Sequence, residues 1–173
     1  MSNGIDIEIT GFQELVGKIQ RITNDKSKKK EMIGILRQVA SGTVRVAKRN
    51  APRSKKPHLI SGSRTRRMVQ PGNLSKSIGT IVAKRGKAAV NPTVAVGPRA
   101  KIKNDGFYGN FVENGHKTYK GKSRNSRTRA TNATGSVQGQ FFMKKTFQQT
   151  EGRATAESTD RIAKYIQRKL EKL

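Results

Sequence analysis

Between Met32 and Asn104 the chain carries no acidic residue, yet it places seventeen Lys or Arg there. A second acid-free run, Asn114 to Thr150, adds eight more. Across 173 residues, 37 basic side chains face 11 acidic ones, a formal charge of +26. Such a chain cannot pair its cations internally, and self-repulsion works against a compact state unless a polyanion or an acidic partner lies beside it. The fold must therefore keep its charge outside and rely on a modest core, with hydrophobic residues at 32%. A nucleic-acid backbone and a neighbouring acidic subunit are the first partners to consider.

The apolar residues are organised. Ile5, Ile7 and Ile9 alternate with Asp6 and Glu8, the period of a half-buried strand. Thr10 then opens a helix, with Gln13 at the capping-box position, and Phe12, Leu15, Val16, Ile19 and Ile22 share one face. The charged run Asp25 to Lys30 breaks the pattern. A second helix is predicted from Glu31 to about Asn50, with the stripe Met32, Leu36, Val39, Thr43 and Ala47, and Pro52 ends it. Asn73 can cap a helical turn over Leu74 to Ser77. Two strand-like pieces follow, Ile78 to Lys84 and Val90 to Val96, joined at Arg85-Gly86-Lys87, with Pro92 placing the second at an edge or at its start. Phe107 to Asn114 reads as a short amphipathic turn stopped by Gly115. The chain closes with helix, Phe142 to about Thr150 and then Ala154 to Leu173. The predicted fold is one α+β domain over residues 1–173: a small, mostly antiparallel sheet packed on long helices.

Two cationic arms interrupt this body. Residues 53–71 are rich in Pro, Ser, Gly and cation, and 116–139 in Ser, Thr, Asn, Gly and cation; both read as loops, the second with the composition of a segment disordered when free. Their cations are the candidate contacts: Arg53, Lys55, Lys56, Arg64, Arg66 and Arg67 in the first arm, Lys117, Lys120, Lys122, Arg124, Arg127 and Arg129 in the second. If half of these met phosphates, log K would fall against log salt with a slope near about −5. Tyr119 is the only aromatic in either arm, so base stacking is not the mode of contact. The arms read charge and not bases. The bland alternative is a pair of solvated loops.

Catalysis finds little material. His58 and His116 are the only imidazoles, there is no Cys, and no His, Asp or Glu cluster has metal-ligand spacing. Ser61-Gly62-Ser63 fits neither a phosphate loop nor a nucleophile elbow. Neither an enzyme nor a cofactor is expected. No apolar run approaches the roughly 20 residues of a spanning helix, and MSNGIDIEIT lacks the pattern of a secretory signal. Phe107, Tyr108, Phe111 and Val112 read as core ahead of the alternative, a binding patch, and Phe141, Phe142, Met143 and Phe147 as a packing seam. Glu113, an isolated acid among cations, is expected to pair with a nearby Lys or Arg or with a neighbouring subunit.

In order, the chain shows Ala51-Pro52, then Gly72-Asn73-Leu74-Ser75-Lys76-Ser77-Ile78, two strands, Tyr108-Gly109-Asn110-Phe111-Val112-Glu113-Asn114-Gly115, and Phe142-Met143-Lys144-Lys145-Thr146-Phe147 before a terminal helix. This order resembles the tailed-phage virion proteins of the head–tail junction, the neck or tail-completion proteins. The resemblance implies an α+β subunit without an active site, assembled as a ring of six or twelve. Such a ring joins the head connector or stopper to the tail terminator or tail tube and lets double-stranded DNA through its lumen. It also implies a home in the virion, reached from the host cytoplasm during assembly, and no membrane partner. Ala51, Pro52, Gly72, Leu74, Tyr108, Phe111, Val112, Glu113, Gly115 and Phe142 would then be packing positions. The chain departs from the family pattern in the long spacer Arg53 to Pro71 and in Gln140-Phe141, where a proline is usual.

Composition alone supports another class, a nucleic-acid-binding protein of ribosomal type with cationic extensions. A monomer in a defined, salt-sensitive complex would mark that class, and stoichiometric rings would mark the junction protein. An anionic-membrane binder ranks behind both, since Arg161, Lys164, Arg168, Lys169 and Lys172 share their helix with ordinary core periodicity.

Overall fold

A computed structural model describes residues 14, 17–18, 26–61, 66–82, 91–100, 105–118 and 134–172. The predicted strand at Ile5–Ile9 and the apolar stripe from Phe12 to Ile22 lie outside these residues, although Glu14, Gly17 and Lys18 are helical. The architecture is mixed α+β, with long helices and small antiparallel sheets.

Helix α1 spans Lys26–Asn50 and buries Met32, Val39 and Ala47 on one face. It begins before Glu31, so Lys26 to Lys30 of the charged run expected to break the pattern form its start. Lysine is a good helix former, and the last helix holds this end. The Tyr165 hydroxyl donates to the Lys28 carbonyl at 3.4 Å, and Lys169 pairs with Glu31 at 2.9 Å. That last helix, α4, is continuous over Phe142–Leu170, where two pieces were expected. Gly152 costs about 1 kcal/mol in a helix interior, an amount outweighed by packing along α1. The two helices are antiparallel. Met32 meets Tyr165 at one end, and at the other the Asn50 amide donates to Thr146 Oγ1 (3.1 Å) and Gln149 Oε1 (2.9 Å).

The strands form three separate two-stranded antiparallel hairpins among the described residues, and not one small sheet. β1 (His58–Ser61) pairs with β2 (Arg66–Val69), His58 opposite Val69. β3 (Ile78–Val82) pairs with β4 (Val94–Pro98), Ile78 opposite Pro98. This pair is shorter at one end and shifted at the other relative to the expected 78–84 and 90–96, and Pro92 precedes the strand. β5 (Gly115–Thr118) pairs with β6 (Gly135–Gln138), Gly115 opposite Gln138. Both predicted arms thus have hairpin bases. In the first arm, buried Val69 anchors the ladder to the body.

Between the first two hairpins sits the short helix α2, Asn73–Ser77. Asn73 does not cap it. Gly72, with φ 79°, occupies the cap position, and the Asn73 amide donates instead to the Asp105 carbonyl (2.8 Å) and the Tyr108 hydroxyl (3.1 Å). Leu74 and Ile78 enter the main core with Ala47, Ala51 and Phe142, and Val44, Val96, Tyr108, Val112 and Met143 pack around them. The buried hydroxyls are satisfied within it: Ser75 donates to the Lys48 carbonyl (2.8 Å), Ser77 to Leu74 (2.7 Å) and Thr146 to Phe142 (2.7 Å). Each would otherwise cost about 1–3 kcal/mol.

Candidate assembly and nucleic-acid interface

The second arm is rooted in a clip between distant segments. Helix α3 spans Gly109–Asn114. Its last carbonyls accept from the chain entering α4: Gln140 N–H donates to Val112 O at 2.9 Å and Phe141 N–H to Glu113 O at 3.1 Å. The Glu113 carboxylate then accepts from two amides of the first turn of α4, Met143 N–H at 2.8 Å and Lys144 N–H at 2.9 Å. A helix start leaves such donors unpaired and carries partial positive charge, so an anion there is favourable. Glu113 is therefore the cap of α4, which corrects the ion pair expected from its cationic neighbourhood. Phe141 needs that support, because it holds a left-handed backbone (φ 48°, ψ 33°) that non-glycine residues seldom adopt. Gly115 turns the chain from α3 into β5 at φ 76°, where a Cβ would strike the Val137 carbonyl.

The arm cations fall into three groups. Arg53, Lys55, Lys56 and Lys117 are exposed. Arg66 and Arg67 lie in β2, opposite Ser61 and Ile60. Arg64, Lys120, Lys122, Arg124, Arg127 and Arg129 fall outside the described residues. Of the motif positions, Ala51, Leu74 and Phe142 are buried, while Pro52, Gly72, Tyr108, Val112, Glu113 and Gly115 are half-buried.

Phe111 is 48% exposed, Phe107 49%, Phe141 48% and Phe147 62%. That corrects the core assignment of Phe107 and Phe111 and the packing-seam assignment of Phe141 and Phe147; of those two groups, Phe142 is in the main core and Tyr108, Val112 and Met143 pack against it. Phe107 leans edge-on against Tyr108, and Phe111 against His116. Phe147 lines a groove of about 990 Å³ between α1, α4 and β4, where Leu36, Val39 and Met143 also show. On the first hairpin, Leu59 and Met68 are directly opposed and both exposed. Cross-strand partners share a face, so they form one exposed apolar pair on the hairpin. Contiguous apolar surface of this kind marks a contact surface more often than a solvent face. Its signal in sequence was present but small: two apolar residues flanking a cationic run.

Among the described residues no His, Asp and Glu side chains gather into a metal-holding group, and no helix is long and apolar enough to cross a membrane. A profile of the HK97-gp10-like family, described as "Bacteriophage HK97-gp10, putative tail-component", matches residues 13–115, more than half of the chain, and the chain belongs to that family. Searches of curated proteins and of solved structures return no match. The matched span holds α1, the first two hairpins and Glu113, and it stops before α4, the helix that Glu113 caps.

Proposed function

We propose that this member of the HK97-gp10-like family is a structural protein of the virion. Copies close into a ring of six or twelve at the head–tail junction, between head-side connector and tail-side proteins, with double-stranded DNA passing through the lumen. The observation that carries this reading is the set of exposed large apolar side chains: Leu59, Met68, Phe107, Phe111, Phe141 and Phe147. A monomer gains nothing from exposing them, whereas a ring covers each on a neighbour. Charge supports the same reading, because a ring of six would carry about +156, a repulsion that closure tolerates only beside a polyanion. Duplex DNA in the lumen supplies one phosphate per about 1.7 Å of axis. Two cationic arms with structured bases suit weak, repeated contacts to DNA that must still move.

Native mass spectrometry of the purified chain, alone and with its tail-side and head-side neighbours, tests the reading. Discrete six- or twelve-fold species are expected, and Leu59→Ser with Met68→Ser should abolish them while the thermal midpoint stays put, since surface substitutions usually stay within about 0.5 kcal/mol. A chain that remains a monomer with every neighbour, and binds duplex DNA in that state, would instead be a nucleic-acid-binding protein of the ribosomal type.

A further inference from the structure

Away from both arms, the face of α1 opposite its buried stripe carries Arg37, Ser41, Arg45 and Lys48, spaced four, four and three residues apart. At 1.5 Å per residue these line up along about 16 Å of helix. Two adjoining depressions open on this line and share Arg37, Ser41 and Arg45. One, of about 630 Å³, lies against α4 and receives Arg153 and Arg161. The other, of about 570 Å³, lies against the β3–β4 hairpin and receives Lys48 and Arg99.

Arg99 is held in place. Its Nε donates to the Ser77 carbonyl at 3.2 Å, and its guanidinium lies over Gly79, where any side chain would collide with it. Six cations therefore border the paired depressions, together the trough: three on α1, two on α4, and Arg99 just past the end of β4. Glu157 is the only acid bordering it among the described residues, and Arg161 at 2.8 Å and Arg153 at 3.9 Å already engage it.

We infer that this trough is a binding site for the phosphate backbone of duplex DNA, separate from the arms. Five of its six cations are Arg, whose planar fork matches phosphate oxygens. Over the 16 Å of its length a duplex presents about ten phosphates. A second copy of the chain is poorly equipped to fill it, because the chain's described carboxylates are largely engaged: Glu14 with Lys18, Glu31 with Lys169, Glu113 at the start of α4, Asp160 with Lys164. The identity of the anion as DNA rests on the junction reading above; the trough itself does not.

The test uses the full-length protein, a fluorescein-labelled 30-base-pair duplex of arbitrary sequence, and anisotropy titrations across a salt series. Arg37→Gln with Arg45→Gln removes two exposed cations, and an unchanged thermal midpoint checks the fold; Arg45→Gln alone serves as the milder variant. The double variant should raise Kd at least tenfold near 0.1 M salt and flatten the slope of log K against log salt by about 1.8, at about 0.9 per lost contact. Half that flattening is expected from the single variant. An unchanged slope in both variants overturns the site. Displacement of the duplex by poly-L-glutamate at equal or lower charge concentration also overturns it, assigning the trough to an acidic protein. Ring mass is read in parallel. Intact rings with an unchanged slope sink the trough and keep the ring, whereas a monomer whose DNA affinity falls with the double variant sinks the ring and keeps the trough.

Discussion

Where α1 ends and α4 begins, segments from across the chain converge: Ala47 of the first helix and Ala51 just past its end, Leu74 and Ile78 around α2, Val96 of β4, Tyr108 and Val112 near α3, and Phe142. At the opposite end of the same helix pair, Met32 and Tyr165 are surrounded by Ile35, Ile162, Ile166 and Leu170, all from α1 and α4 themselves. One end is a meeting of distant segments and the other, among the described residues, is a two-helix seam. The first can form only when long loops have closed, so its contacts are gained together. The second needs only helical periodicity on two partners. Stability at the first end should therefore be global, and at the second it should be local and prone to fraying.

Three substitutions test that contrast, in descending size. Phe142→Ala empties the centre of the convergent end and should cost about 3–5 kcal/mol in denaturant unfolding, with every probe moving together. A loss under about 1 kcal/mol would show that the convergent end is no stronger than the seam. Glu113→Gln keeps the shape but sets an amide group against one of the two N–H groups that the carboxylate receives. The expected cost is about 1–2 kcal/mol, with faster hydrogen exchange at Met143 and Lys144; unchanged exchange there would remove Glu113 from the account of how α4 starts. Glu31→Gln at the seam breaks the surface pair with Lys169 and should cost about 0.2–1 kcal/mol. Its exchange effect should be confined to the first turns of α1 and the last turns of α4, and spread beyond them would mean that the two ends melt as one.

The seam was legible in sequence because it rests on spacing alone: Met32 and Val39, then Ile162, Ile166 and Leu170, recur at helical intervals. Leu74 and Phe142 are marked as packing positions by the order of motifs that the family resemblance rests on. Less legible was what depends on distance. Glu113 and the amides it caps are some thirty residues apart, and no local pattern joins them. The hairpin bases were hidden because Leu59-Ile60 and Met68-Val69 are too brief, among so many cations, to stand out as strands. The phenylalanines misled for another reason. Burial statistics describe finished assemblies as well as lone chains, and Phe107, Phe111 and Phe147 are exposed on this chain, where the proposed ring would cover them. In the trough, Arg37, Arg45 and Lys48 stand at helical spacing in the sequence, but the two arms hold denser charge. Arg99, Arg153 and Arg161 join them only once β3–β4 and α4 have folded back.

The clip at Glu113 also has a mechanical meaning. The hairpin β5–β6 leaves the body between Gly115 and Gln138, and at that point two main-chain bonds and a carboxylate bolt its base to the opening turn of a 29-residue rod. A tug on the far tip of this limb has no slack hinge to absorb it there. Force runs straight into the spine of the subunit, so whatever grasps the tip gets a handle on the whole body.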